Sequence, residues 1–137
     1  MFWCFHCYAV NDHPSGPCDV CGQPVEAPAG LSWVDSLVWA LGHPDGDRAL
    51  VAARTLGRLK AQDSVPALRA TVETGADVYV RAEALRSLVA IKGAGGLRPW
   101  LDELSRDAPF MVRDIAREAL EDSDAAAGRP EDYRPED

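Results

Sequence analysis

A period of 32 residues in the second part of the chain limits the possible fold more than any other feature. Three alanines and three leucines recur at this interval: Ala52, Ala84, Ala116, Leu56, Leu88 and Leu120. Within each unit the apolar residues are three or four positions apart, which is the spacing of an amphipathic helix. Because a fixed period of about 20–50 residues indicates stacked supersecondary units, the sequence predicts a helical solenoid.

Helix boundaries can be placed from the capping residues, glycines and prolines. Asp63, Asp77 and Asp107 each precede an apolar periodic run, and a carboxylate there can accept hydrogen bonds from the unpaired amides of a first turn. We expect six helices, near residues 31–42, 47–60, 64–74, 78–92, 96–106 and 109–122. Short loops make neighbouring helices antiparallel.

The first expected helix, 31–42, is apolar on almost every side and contains Trp33 and Trp39. A helix of this kind is normally covered on both sides. We expect helix 47–60 to cover one side and the N-terminal segment to cover the other, because the end of a solenoid needs a cap. The alternative is a bare apolar face that serves as a dimer or partner site.

The repeating unit also has a recognisable sequence pattern, Val80-Arg81-x2-Ala84-x3-Leu88-x2-Ile91, followed by a second helix. This pattern resembles the short HEAT-like repeat of bacterial proteins. The resemblance covers residues 48–122 and extends loosely over 31–47. It implies an α-solenoid in which alanines let two helices approach and leucines fill the layer between units. Trp100 corresponds to Leu68 in this register, so we expect it in the core.

All four cysteines lie near the N-terminus, as two Cys-x2-Cys pairs: Cys4, Cys7, Cys18 and Cys21. Two such pairs can supply the tetrahedral four-thiolate shell that Zn²⁺ prefers. The spacing therefore predicts a structural zinc site. Two alternatives remain, iron in place of zinc and a pair of disulfides in an oxidising compartment, and spacing does not separate the two metals.

The cysteine segment resembles the Ran-binding-protein type of zinc finger. The residues that carry the resemblance are Phe2-Trp3-Cys4-x2-Cys7, Asn11 and Cys18-Asp19-Val20-Cys21. The family's cysteine and asparagine spacings are matched, whereas Phe2 stands where the family has tryptophan and Trp3 follows it. Bacterial zinc ribbons share much of this pattern. The resemblance implies a small finger that Zn²⁺ stabilises.

Fingers of this family bind single-stranded RNA, ubiquitin or a small GTPase. RNA-binding members clamp bases with arginines, and residues 1–47 contain no arginine. Ubiquitin-binding members carry Thr-Phe after the second cysteine, where this chain has Tyr8-Ala9, and an apolar residue where Val20 stands. The resemblance thus implies Tyr8 and Val20 as partner-binding candidates, and the apolar helix adds Trp39. The alternative is a finger that only caps and orders its neighbour.

Charge placement limits the class of partner. Residues 1–47 carry six acidic residues and no lysine or arginine, within a net charge of −8 for the chain. Because each nucleic-acid phosphate contact needs a cation, nucleic acid is not the expected partner of this segment. The chain has no signal-peptide pattern after Met1 and no apolar run of about 18 residues, so we expect a cytoplasmic protein without a membrane segment.

The last residues, 123–137, are acidic and poor in apolar side chains, and we expect them to be disordered. Arg-Pro-Glu-Asp occurs there twice, on both sides of Tyr133. Either this segment only adds solubility, or Tyr133 belongs to a motif that docks on a partner. The expected domains are then a zinc finger at 1–29, HEAT-like repeats at 30–122 and this tail. The predicted fold is all-α, a short HEAT-like α-solenoid of about six helices with a small N-terminal four-cysteine finger.

The sequence contains no recognisable catalytic constellation. His43 has no helper residue beside it, and every cysteine belongs to the two Cys-x2-Cys pairs. We therefore expect a non-enzymatic adaptor that binds a protein or peptide, with the finger as its structural cap. The alternatives are a bilin-lyase-like chaperone or enzyme, a DNA glycosylase with a basic solenoid groove, and RNA binding through the finger, because HEAT-like repeats and fingers occur in each.

Overall fold

The computed structural model describes residues 1–127, which form a small N-terminal hairpin followed by six α-helices. The hairpin strands are β1 (Phe2–Trp3) and β2 (Val10–Asn11), which pair antiparallel. The helices are α1 (Trp33–Ala40), α2 (Gly46–Leu59), α3 (Val65–Thr74), α4 (Val78–Lys92), α5 (Arg98–Asp107) and α6 (Phe110–Ala127). All six expected helices are present. The repeated Arg-Pro-Glu-Asp motif and Tyr133 lie outside the described residues.

The helices stack in two rows. Helix α4 packs between α2 and α6 in one row, and α1, α3 and α5 pack on α2, α4 and α6 respectively. One continuous core joins them, with Leu56, Leu68, Leu85, Leu88 and Leu101 fully buried at its centre. Trp100 is 7 % exposed and belongs to the same core, as its place in the repeat predicts. The arrangement confirms the predicted all-α solenoid.

Small residues set the spacing between α2 and α4. The hydroxyl of Ser87 donates to the carbonyl of Ala53 at 2.6 Å, which ties the two helices together through a buried contact. A Cβ atom on Gly57 would lie 2.5 Å from the Ser87 Oγ, so glycine is required for this approach. The repeated Ala52 and Ala84 are also buried, which confirms that alanine lines the helix contacts.

Two of the three predicted N-caps are wrong. Asp77 does cap α4, where its carboxylate accepts from the amides of Tyr79 and Val80. Asp63 instead lies within a 3-10 turn that precedes α3, and the N-cap Ser64 makes no side-chain cap bond. Asp107 is the last residue of α5. In α3 a proline in the first turn removes one unpaired amide, which reduces the need for a cap.

The first helix begins later than predicted because of its cap. Ser32 accepts from the Asp35 amide at 3.0 Å while the Asp35 carboxylate accepts from the Ser32 amide, which forms a capping box. Helix α1 therefore begins at Trp33, and Trp33 is 64 % exposed. At the other end of the solenoid, α6 continues to Ala127, past its predicted end at 122.

An arginine that closes the end of α3 has no counterpart at α1. Arg81 donates from Nε to the carbonyl of Val72 at 2.7 Å, near the C-terminus of α3. One period earlier the same position is Ala49, which has no donor to offer the end of α1. Among residues 1–127, no helix is both long and apolar enough to span a membrane.

Candidate metal centre and its contact with the first helix

The four predicted metal ligands lie together. The Sγ atoms of Cys4 and Cys21 are 3.7 Å apart, those of Cys7 and Cys18 are 3.7 Å apart, and all four lie within 4.8 Å of one another. A tetrahedron with Zn–S distances of about 2.3 Å has S–S edges of about 3.8 Å, so the cluster fits a four-thiolate metal site. These separations far exceed a disulfide bond of about 2.05 Å, and the cysteines are unpaired.

Each Cys-x2-Cys pair is formed by a tight turn. The Tyr8 amide donates to the Cys4 carbonyl at 2.9 Å, and the Gly22 amide donates to the Cys18 carbonyl at 3.0 Å. The residue that ends each turn is left-handed, with φ of 63° at Tyr8 and 77° at Gly22. Glycine adopts this conformation freely, whereas tyrosine does so at a cost of about 1–3 kcal/mol. Tyr8 is therefore held in a strained conformation.

Asn11 connects the two turns. It is 2 % exposed, and its Nδ2 donates to the Ala9 carbonyl at 3.2 Å and to the Cys18 Sγ at 3.5 Å. Its Oδ1 accepts from the Asp19 amide at 2.9 Å. Every hydrogen-bonding atom of this buried amide group has a partner. The amide thus fixes the position of one sulfur relative to both halves of the finger, as groups behind a metal ligand commonly do.

Backbone amides polarise the thiols unequally. Hydrogen bonds from the amides of Cys21 and Val20 lower the pKa of the Cys18 thiol to about 6. The Ala9 amide also lowers the pKa of Cys7, but burial and the three neighbouring thiols outweigh it and raise that pKa to about 12. The set therefore releases protons when a cation binds all four sulfurs, because a metal ligates the thiolate form.

The finger has little apolar core of its own. Cys4, Cys18 and Val25 are its buried apolar residues, with Cys7 and Ala9 packed against them. A unit of about 30 residues with so small a core cannot fold through apolar burial alone, and such units usually require a metal or disulfides. The metal ligands and the hydrophobic core of the finger are largely the same side chains.

Trp39 of α1 forms the main contact with the finger. Its ring stacks on Tyr8 with centroids 5.0 Å apart and on Phe5 with centroids 5.6 Å apart. The Trp39 Nε1 donates to the Phe5 carbonyl, and the Tyr8 hydroxyl donates to the Trp39 carbonyl at 2.6 Å. The expected contact between the N-terminal segment and the first helix is therefore present, and it joins stacking to two hydrogen bonds.

Gly42 allows the Tyr8 hydroxyl to reach this carbonyl. A Cβ atom at Gly42 would lie 2.6 Å from the Tyr8 Oη and 3.2 Å from its Cζ. Any larger residue must displace the phenol or the loop after α1. The backbone of Gly42 has an ordinary conformation outside the left-handed region. Glycine is therefore needed here for the close approach of the phenol and not for its backbone conformation.

His43 lies behind the same contact and is 5 % exposed. Its ring is 4.4 Å from the Trp3 ring and 5.4 Å from the Trp39 ring, both in edge arrangements. Nδ1 accepts from the Asp45 amide at 3.0 Å, which places the hydrogen of the neutral ring on Nε2. Nε2 is buried without a hydrogen-bond partner among the described residues. Burial, with help from Arg48, lowers the pKa of His43, and Asp45 opposes the shift.

The candidate partner residues are divided between two places. Tyr8 and Trp39 are half-buried against each other at the finger contact, while Val20 is 74 % exposed on the second cysteine turn. The sequence interpretation missed the contributions of Phe5, Gly42 and His43. The sequence marks none of them as a contact residue, because they come together only when the finger packs on α1.

Comparison with known proteins concerns the helical part. A family model described as HEAT repeats matches residues 34–121, which is more than half of the chain. No zinc-finger family model matches the cysteine segment. No curated protein and no solved structure matches the chain.

Proposed function

This chain belongs to the HEAT-repeat family, and from that premise we propose that it is a non-enzymatic adaptor. Members of the family are generally scaffolds for protein interaction. The exposed side of the row formed by α2, α4 and α6 binds a protein or peptide, and the finger is a structural cap. The observation that carries this proposal is the packing of Phe5 and Tyr8 on Trp39, which occupies the N-terminal end of the solenoid.

The opposite end of the solenoid supports the same proposal. Ala82 and Leu85 are buried in α4, and one period later α6 has the exposed Asp114 and Arg117. A solenoid ends stably where its last unit turns a polar side outward. With the two ends closed in these ways, the lateral surface is the main part of the solenoid left for a partner.

We propose Zn²⁺ as the metal, held by Cys4, Cys7, Cys18 and Cys21. Four thiolates leave no open coordination position, so the ion supplies a cross-link between the two turns and no catalytic chemistry. The sulfur distances given above support this ligand set. Elemental analysis of protein purified from its native cell separates zinc from iron, and we expect one zinc per chain.

The strained backbone at Tyr8 supports a structural role for the finger. A left-handed tyrosine persists only where surrounding contacts stabilise it. Here those contacts are the stacking on Trp39 and the hydrogen bond to its carbonyl. In a finger without contact to the helices, nothing would offset the strain of tyrosine at a position that glycine occupies without strain.

The proposed partner contacts differ in how much of each side chain is exposed; they are Val20, Tyr8 and Trp39. Val20 offers most of its side chain, whereas a partner would reach only the exposed edges of the stacked Tyr8 and Trp39 rings. We therefore expect Val20→Asp to weaken partner binding without lowering the free energy of unfolding. Substitutions of the other two residues would act on finger packing as well.

Site-specific photo-crosslinking tests the adaptor proposal. p-Benzoylphenylalanine replaces Val51 on α2 or Ala90 on α4, both exposed, and cross-linked products from the native cell are identified by mass spectrometry. The matched control carries the same group at Arg106, which is exposed on α5. We expect a discrete protein product from α2 and α4 but not from α5. The adaptor proposal would be contradicted by equal labelling from all three positions. It would also be contradicted by a co-purified chromophore or by salt-sensitive nucleic-acid binding by the helices.

A further inference from the structure

A groove of about 420 Å³ lies between the N-terminal halves of α2, α4 and α6. It is built from rows of residues that correspond in the 32-residue repeat, such as Asp47, Tyr79 and Met111. The groove therefore follows the side of the solenoid that is left uncovered by the finger and by the second row of helices.

Two arginines at one end of this groove share a single carboxylate. The Arg54 Nε is 3.1 Å from Glu83 Oε1, and the Arg86 Nη1 is 3.4 Å from Glu83 Oε2. The Glu83 side chain is 12 % exposed, whereas those of Arg54 and Arg86 are 46 % and 60 % exposed. One positive charge is therefore left unbalanced within this triad. Each guanidinium has five N–H donors, so the pair can still bind a second carboxylate.

The middle of the groove is apolar. Leu50 is partly buried and Ala82 is buried between the two charged ends, whereas the partly buried Met111 and the 62 % exposed Tyr79 lie level with Asp47 on the neighbouring helices. An apolar side chain of a bound segment can pack here, since the surface around a binding groove combines apolar contact with a few placed polar groups. The tyrosine hydroxyl adds a donor and acceptor at the rim.

Acidic residues lie at the other end. Asp47 is exposed in the first turn of α2, and Asp77 caps the start of α4. Asp47 precedes Arg54 by seven residues on one helix, which corresponds to about 10.5 Å along its axis. A peptide in the polyproline II conformation has three residues per turn and rises about 3.1 Å per residue, so side chains three residues apart lie on one face, about 9 Å apart. The groove thus presents opposite charges at a spacing that a polyproline II segment can match.

We propose that this groove binds a segment of a partner protein in the polyproline II conformation that carries one acidic and one basic side chain three residues apart. The acidic side chain pairs with Arg54 and Arg86, and the basic side chain faces Asp47 and Asp77. This assignment rests on the proposed adaptor function and names the chemistry of its partner. A nucleic-acid strand does not fit, because the acidic end repels phosphates.

Fluorescein-labelled peptides of leucine and serine provide the test. Each contains one Arg and one Glu at spacings of one to six residues and in both orders, and control peptides replace Glu with Gln. Binding to the full chain is measured by fluorescence anisotropy. We expect the tightest binding at a spacing of three, and at least tenfold weaker binding after Arg54→Glu with Arg86→Glu. Arg106→Glu on α5 is the matched control and should change nothing.

If no peptide binds better than its Gln control, or if the arginine reversals have no effect while circular dichroism shows an intact fold, the assignment is overturned. Removal of residues 128–137 tests another occupant: tenfold tighter peptide binding by the shortened chain means that this chain's own segment competes. Sedimentation that shows a dimer abolished by Arg86→Glu means a second copy. Either result overturns assignment to a partner.

The photo-crosslinking and the peptide-binding experiments can fail independently of each other. A discrete cross-linked partner at Val51 that is unaffected by the arginine reversals would leave the adaptor function in place and remove only the groove chemistry. If no partner is cross-linked but peptide binding still depends on the charge spacing, the chemistry assigned to the groove is supported. The adaptor proposal in its present form is then wrong.

Discussion

The hydroxyl of Tyr8 donates a hydrogen bond of 2.6 Å to the backbone carbonyl of Trp39, so a finger side chain closes the C-terminal end of the first helix. In the next unit Arg81 donates to the carbonyl of Val72, near the end of α3. The first unit has Ala49 in the place of that arginine. The finger therefore supplies at α1 a contact that the repeat itself supplies at α3.

Tyr8→Phe should lower the free energy of unfolding by about 1 kcal/mol, because it removes one partly buried hydrogen bond and keeps the ring stacking. The loss is limited because the Trp39 carbonyl also accepts from the Gly42 amide at 3.2 Å. Urea denaturation of the metal-loaded protein measures the change. Tyr79→Phe is the control, since Tyr79 is 62 % exposed, and it should shift the unfolding free energy by less than about 0.5 kcal/mol.

Gly42→Ala should destabilise the protein by about 1–3 kcal/mol, because its Cβ would meet the Tyr8 Oη at 2.6 Å. The same change in the Tyr8→Phe background should cost less, since the clashing oxygen is absent. A double-mutant cycle measured by urea denaturation should therefore give a coupling of at least about 0.5 kcal/mol. Gly95→Ala meets no atom within 4 Å and serves as the control. Additive effects of the two changes would show that the residues do not interact.

Asn11→Ala should weaken metal binding by about 10–100-fold, because it removes a donor to the Cys18 sulfur and the link between the two turns. Competition with a chromophoric chelator measures the affinity. Asp12→Ala changes an exposed neighbour and should leave the affinity unchanged. An Asn11→Ala protein with the affinity of the original chain would mean that the amide does not position the sulfur.

Acid should weaken the protein through His43. Burial lowers the pKa of His43 below its ordinary value of 6.5, so the folded state favours the neutral ring. The stability that this provides is complete above about pH 6.5 and is lost as pH falls through the folded-state pKa. Urea denaturation between pH 7.5 and 5.5, with metal content checked at each point, should show a smaller loss for His43→Gln.

His13 supplies a control of opposite sign for this pH series. The Ser15 carbonyl and Asp19 raise the pKa of His13, so its contribution is present at low pH and lost as pH rises through the folded-state pKa. His13→Gln should therefore steepen the loss of stability on acidification. Identical pH slopes for the original chain and His43→Gln would exclude His43 as the titrating group.

The period of 32 was sufficient to predict the helical fold, because each unit repeats the same contacts. The buried Ala52 and Ala84 confirm that interpretation, and the charged Asp114 and Arg117 show that the same alignment also marks the end of the stack. That second signal was present in the sequence and was missed. It becomes visible only when buried positions of α4 are compared with α6.

The candidate site was predictable in its ligands but not in its surroundings. The cysteine spacing predicted that the four sulfurs lie together, because both turns form locally. Trp39 was expected beneath the N-terminal segment and lies there, whereas Trp33 remains exposed because α1 begins at that residue. The roles of Gly42 and His43 depend on how a loop meets the finger, and that meeting is a tertiary contact without a local sequence pattern.

Hydrogen–deuterium exchange of α1 with and without bound metal tests the central claim most directly. If a metal-held finger covers the Trp39 side of α1, chelation should speed exchange of amides at residues 37–42 at least tenfold and leave the core of α4 unchanged. Cys18→Ser should reproduce the chelated pattern, and Ser15→Ala should not. Equal protection of residues 37–42 in the metal-loaded and metal-free protein would contradict the account.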